Sequence, residues 1–294
     1  LQNTKYLFYN YSAGSAADWL LNLITITNPA GRTLEMVDLT STAEAEHTSV
    51  TKHERIWELD AFRGICIICV VAVHLIFDLQ YFAGLNFTTP RWFDFIQTNG
   101  GVLFIILSGI CVTLGHRFLK RGLIVFGAGM LITLVTIIMY KIGVADKDII
   151  IYFGVLHLLG VCMMLYGILR KLPTWLLFVI ENILVLAGYW LMYSSIHTKG
   201  ANAADLLIII GVTPRSFMSS DYFPLLPFLG WFILGIVLGR TLYEKQQTLF
   251  PKFPYKSWPV RALSFIGRHS IWIYLLHQPV ISGILALVES VSAK

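Results

Sequence analysis

Charge is scarce in this sequence: Lys, Arg, Asp and Glu make up 13% of the 294 residues while 56% are hydrophobic, against about 25% charged in soluble domains. That shortage excludes a globular domain with water as its main solvent. Cysteine is scarce too. The four present, Cys66, Cys69, Cys111 and Cys162, all lie inside apolar runs, which argues against a disulfide framework or a thiolate zinc site. Cys66 and Cys69 have the spacing of a metal or redox motif, but they lack a second pair and polar surroundings, so small-residue packing is the default for them. Fixed-period repeats, extended low-complexity tracts and the basic, apolar and cleavage-site series of a signal peptide are missing as well. The net charge of +5 is spread in short clusters between apolar runs rather than along one face or tail. That is how topology signals are laid out, and nucleic acid is not an expected partner.

What the sequence does have is long apolar runs, each about long enough to cross a ~30 Å hydrocarbon core as a helix. They predict an all-α, polytopic membrane bundle of about seven helices, at roughly 62–82, 101–119, 122–140, 149–169, 173–193, 223–242 and 269–290. The segment 203–212 is too short to cross and reads as a re-entrant or interfacial piece, or as half of a broken eighth helix. Residues 1–53 read as a polar N-terminal extension, disordered or partly non-native, because the chain opens on Leu1 and its first Met is Met36. The membrane domain is expected over 54–294. Lys and Arg crowd the connections that share a side with the N-terminus, including 117–121, 170–171 and 240–268. The positive-inside rule therefore puts the N-terminus in the cytoplasm and, with an odd number of spans, Lys294 outside.

Ionisable side chains inside spans are costly and usually face a cavity or a partner. The first span, FRGICIICVVAVHLIFDLQY, carries Arg63 at its cytoplasmic entry, His74 eleven residues later and Asp78 one turn beyond. His74 and Asp78 share a helix face, so the carboxylate could orient the imidazole as a general base; the same spacing fits a pair that merely satisfies itself in a packed bundle. Arg63 and His74 are separated by roughly 16 Å of helix axis, comparable to an extended pantetheine arm. An Arg at the inner surface would grip a nucleotide phosphate while the thioester reaches His74, although Arg63 equally fits an ordinary topology-setting charge. His157 and His277 could line the same cavity or be structural. Glu181 and Asn182 read as helix glue. Asp221 is placed to cap the sixth span, which ends on Arg240. Arg268, His269 and Ser270 open the seventh span beside a basic loop that suits anionic phosphate.

RIWELDAFRGICIICVVAVHLIFDL, LFIILSG, YFGVLHLLG, SSDYFPLLPFLGWFILGIVLGR and IGRHSIWIYLLHQPV occur in the order found in bacterial members of the heparan-α-glucosaminide N-acetyltransferase catalytic-domain family. The chain resembles that family over about residues 54–290. In the related acyltransferase family 3 an Arg followed after ten residues by a His marks the first span, and Arg63 with His74 matches in type and spacing. The resemblance implies transfer of an acyl group, acetyl by preference, from cytoplasmic acyl-CoA to a sugar or other acceptor across the membrane. One feature departs. The lysosomal animal enzyme is associated with a histidine in its first lumenal loop, whereas residues 83–100 contain none. The active histidine is then His74, with His157 and His277 as the other candidates, and the glucosamine acceptor does not carry over.

The expected chemistry is acyl transfer with His74 as general base, Asp78 as its orienting partner, and Arg63, Arg268 and Arg240 as contacts to CoA phosphates. His157, His277, Asp221 and His269 are further candidates; a covalent acyl-histidine is the mechanistic variant. Acyl-CoA is the expected co-substrate, no metal is expected, and the partners are the lipid bilayer and a glycan or small-molecule acceptor, with a homo-oligomer compatible. A bacterial cytoplasmic membrane is the expected location. The alternative from another class is a transporter or export component with a polar or proton path. A retinal protein needs a lysine in the last span, where 269–290 has none, and a zinc hydrolase using His74, Asp78, His157 and His277 has no local geometry behind it. The sequons at Asn10 and Asn86 carry no weight in a bacterial protein.

Overall fold

A computed structural model describes residues 55–81, 85, 88–194, 206–214 and 217–292. The N-terminal extension, both sequons and residues 203–205 lie outside them. Among the described residues there are nine α-helices: α1 Trp57–Tyr81, α2 Arg91–Thr113, α3 Phe118–Lys141, α4 Val155–Leu169, α5 Thr174–Tyr193, α6 Leu207–Ile210, α7 Leu225–Leu242, α8 Trp258–Arg268 and α9 Ser270–Ser292. Six of them (α1, α2, α3, α5, α7 and α9) are long and apolar enough to cross a membrane. The protein is an all-helical membrane bundle, as its run lengths predict.

The fourth span differs from expectation. Helix α4 has 15 residues, about 22 Å at the standard rise, short of a full crossing. The cause is tertiary. Residues 149–153, expected to lengthen the helix, are drawn instead against 219–223. Phe153 and Tyr222 form a parallel bridge, the Phe223 N–H donates to the Phe153 carbonyl at 2.9 Å, and the Ser219 and Ser220 hydroxyls donate to the carbonyls of Ile150 and Asp148. The helix can begin only at Val155, whose N–H donates to the Asp221 carboxylate at 3.1 Å. Asp221 is therefore a helix cap, but of α4 rather than of the span that follows it in sequence.

Two other departures bear on the site. The 203–212 piece contributes a single helical turn, α6, closed by Gly211 at φ +117°, and its Ile208 is buried with its carbonyl accepting from the Tyr222 hydroxyl. The basic stretch between α7 and α9 is more than a loop. It contains the amphipathic α8, which packs along the start of α1. Gly64 and Gly267 permit that approach: a Cβ on either would run into the backbone of the other helix, at Leu263 or at Asp60. Small residues play this part widely in membrane bundles, where dispersion and close backbone approach replace the hydrophobic effect. The main core lies among α2, α4, α5 and α7, around Phe232, Ile233, Ile236, Leu158, Cys162 and Ile105, leaving one face of α1 open toward α2.

Candidate active site

Helix α1 is continuous through both Arg63 and His74. Eleven residues are just over three turns, so the two side chains leave the helix within about 20° of each other on one face. A cavity of about 310 Å³ follows α1 on the side toward α2. Its wall steps from Phe62 through Cys66 and Val70 to His74, the four-residue spacing of a helical stripe. It is mostly apolar, with polar groups from His74, Asn99, Asp221 and Tyr274.

At the His74 end, α9 supplies what α1 lacks. The rings of His74 and His277 lie 4.8 Å apart, tilted by 57°. His277 Nδ1 is 2.6 Å from the Tyr274 carbonyl, which can only accept, so Nδ1 carries the proton and Nε2 presents a bare lone pair. Nε2 is buried and has no partner among the described residues. The hydroxyl of Tyr274 donates to Asp221 at 3.3 Å. Tyr274 thus joins the cap of α4 to the histidine pair. Burial pushes the Asp221 carboxyl up to about 6, partly countered by the hydrogen bonds from Val155 and Tyr274.

Asp78 is not the partner of His74 that the four-residue spacing suggested. Its carboxylate is 1% exposed and accepts from Gln278 Nε2 on α9 at 2.8 Å. The tertiary donor is a better fit than a ring one turn back on the same helix, because the packing of α1 on α9 aims the amide at it.

His157 is brought elsewhere. It is 2% exposed, with Phe126 and Phe153 against its ring. The Gly154 N–H donates to Nδ1 at 3.2 Å, so Nε2 bears the proton and donates to the Thr133 hydroxyl at 3.2 Å, which in turn donates to the Ile151 carbonyl at 2.6 Å. Every polar atom of this chain of bonds is matched, the state of a structural histidine. Glu181 is buried, and Asn182 folds back to it at 2.7 Å within α5.

Beyond Phe62, and outside the lining of the cavity, Arg63 donates to Asp60 at 3.3 Å and to Cys111 Sγ at 2.8 Å. Arg121, on the first turn of α3, lies within electrostatic reach of both Arg63 and Cys111. Two guanidinium groups so placed favour an anion between them. Arg121 was legible only as a topology charge, since nothing local ties it to Arg63. Arg240 is committed differently: its guanidinium donates to the carbonyls of Leu172, Arg170 and Leu169 at 2.7, 2.9 and 3.4 Å. It satisfies the open C-terminal end of α4 and the turn after it, a use of its donors that replaces the expected phosphate contact. Arg268 is exposed at the end of α8, and the exposed His269 bonds the Phe265 carbonyl at 2.9 Å and stacks on Phe265. Neither lines the cavity.

Residues 55–279 match the family model described as heparan-alpha-glucosaminide N-acetyltransferase, catalytic. The match runs from the start of α1 to just past His277 and Gln278, and so takes in the whole cavity. No curated protein and no solved structure matches the chain.

Proposed function

The chain belongs to the heparan-α-glucosaminide N-acetyltransferase catalytic-domain family, and on that premise we propose that it moves an acetyl group from cytoplasmic acetyl-CoA to a hydroxyl or amine at the far side of the membrane. The family implies a membrane acetyltransferase; the donor, the acceptor and the direction are the proposal. The observation that carries it is the cavity along α1, which runs from Phe62, the residue before Arg63, to His74 of the histidine pair.

In this reading the N-terminal end of α1 faces the cytoplasm. Arg63 and Arg121 hold CoA phosphate, and the pantetheine arm lies along the apolar stripe with its thioester at His74. His74 takes the proton from the acceptor as the acceptor atom bonds to the acetyl carbon. The C–S bond breaks with its electron pair going to sulfur, and His74 returns the proton to the thiolate. His277 stands behind His74 with its ring 4.8 Å away and packs that ring in place from α9. General-base assistance of this kind contributes about 10²–10⁴-fold in rate. The acceptor is a glycan or a small molecule of the cell envelope.

The test uses vesicles reconstituted with the full chain, labelled acetyl-CoA inside and a cell-envelope glycan extract outside. Transfer predicts labelled product outside and free CoA inside. Export of intact labelled solute would replace this reading with the transporter, and the absence of both results would leave acetyl transfer without support.

A further inference from the structure

Three buried acceptor atoms gather where α1 crosses α9, and none has a donor among the described residues: Asp78 Oδ1, Gln278 Oε1 and His277 Nε2. Their side chains belong together. Gln278 binds the other oxygen of Asp78 at 2.8 Å, His277 precedes Gln278 in the same helix, and His277 and Asp78 are within electrostatic reach of each other. The amide orientation follows from chemistry, since a carboxylate can only accept and so takes the Gln278 N–H₂, which turns Oε1 away bare. The His277 lone pair is bare because Nδ1–H is held by the Tyr274 carbonyl.

Such a set has lone pairs and no hydrogens. A carboxyl 1% exposed needs either a positive partner or a proton of its own, and among the described residues the ion pair formed is that of Arg63 with Asp60, well away along α1. The groups facing Asp78 from the packed elements are His277 and Gln278 on α9, with His74 one turn back on α1. No Lys or Arg is among them. Cavity-lining His74 stands between these atoms and the acetyl-transfer site, and Asp78, Gln278 and His277 do not line the cavity.

We propose that Asp78, Gln278 and His277 form a buried site for one monovalent cation, a sodium ion, behind the His74–His277 pair. The ion offers positive charge to one carboxylate oxygen, one amide oxygen and one imidazole nitrogen. The cation neutralises Asp78, so the carboxylate does not hold the imidazoles protonated, and His74 keeps the lone pair that a base needs. The proposal gives the site of the acetyl-transfer reading a dependence on a small cation, and it rests on that reading only for this consequence.

The experiment reads binding rather than transfer, so the two stand or fall separately. Thermal unfolding of the full chain in detergent is followed at fixed ionic strength with choline replaced by sodium, and separately across pH 6 to 8.5 without sodium. For a sodium site the midpoint rises by several degrees between sodium-free buffer and about a hundred times the dissociation constant. A midpoint that is indifferent to sodium and falls as pH rises means that Asp78 carries a proton instead of pairing with an ion, and overturns the proposal. Asp78→Asn removes the sodium dependence, and Gln278→Leu, which keeps the carboxylate, weakens it. If Asp78→Asn fails to fold, Gln278→Leu and the wild-type response decide. A wild type whose midpoint ignores sodium overturns the proposal whatever its pH response.

Discussion

The ring of His74 on α1 faces that of His277 on α9 at 4.8 Å, and the backbone carbonyl of Tyr274 fixes the second ring with its lone pair outward. The two histidines act as a unit in the proposed reaction. His74→Ala removes the base that lines the cavity, and transfer is expected to fall by about 10²–10⁴-fold with acetyl-CoA binding retained. His277→Ala is expected to cost a smaller factor in kcat. The double variant should then be little worse than His74→Ala, because residues of one unit are not additive. Initial rates in vesicles check this, and full activity in His74→Ala would remove the histidine from the chemistry.

Arg63 and Arg121 predict a different kinetic signature. Charge-assisted bonds to phosphate act on bound acetyl-CoA before and during reaction alike, so Arg63→Ala and Arg121→Ala are expected to raise KM for acetyl-CoA about tenfold or more with kcat little changed. Arg63→Lys should recover part of the loss, since a lysine supplies the charge without the planar fork. A dephosphorylated CoA analogue whose KM is unaffected by either variant would confirm which group they hold.

Arg240 gives the contrasting case. Its donors go to three carbonyls at and just after the end of α4, so Arg240→Ala is expected to lower stability by about 1–3 kcal/mol, the loss of charged hydrogen bonds to part-buried and exposed carbonyls, and to leave KM for acetyl-CoA alone. Chemical denaturation in mixed micelles measures the first, and a raised KM would return Arg240 to the CoA site.

Asp221 carries a pH dependence whose sign follows from its environment. Burial pushes its carboxyl from the usual 3.8 up to about 6, so the folded protein binds this proton more tightly than the unfolded chain does. The stability linked to it is fully present below about pH 4 and is lost as pH rises through 6. Asp221→Asn cannot ionise. Its thermal midpoint should therefore decline less than that of wild type between pH 4 and 7, by an amount on the order of 2 kcal/mol in stability.

These positions differ in how visible they were from sequence. Arg63 and His74 stood out because both sit on one uninterrupted apolar helix, and a helix converts sequence spacing directly into depth and facing. The same rule misassigned Asp78. Its nearest ionisable neighbour in sequence is one turn away, yet its hydrogen-bond donor, Gln278, is 200 residues distant, and no local period encodes a contact between two helices. The shortening of α4 has the same origin, since residues 149–153 look helical until 219–223 pair with them. Arg240 was read as a contact to CoA phosphate and Arg121 as a topology charge. Packing reverses the two, since Arg240 caps α4 and Arg121 lies within electrostatic reach of Arg63.

The crossing of α2 and α7 makes the last prediction. Gly109 and Gly235 meet there with no room for side chains: a Cβ on Gly109 would strike the Phe232 carbonyl, and one on Gly235 the Ile106 carbonyl. Both obstacles are backbone, which cannot swing aside as a side chain does. Gly235→Leu must therefore push α7 off α2, and with it the core built on Phe232, Ile233 and Ile236. Overpacking of this kind costs about 1–3 kcal/mol or more, and the expected result is a lower midpoint and a loss of monodisperse protein in detergent. A Cβ added to Gly127 on α3 would meet nothing within 4 Å, so Gly127→Leu adds the same bulk to open space and should behave as wild type. Equal behaviour of the two variants would mean that the backbones of α2 and α7 do not approach as closely as the glycines allow.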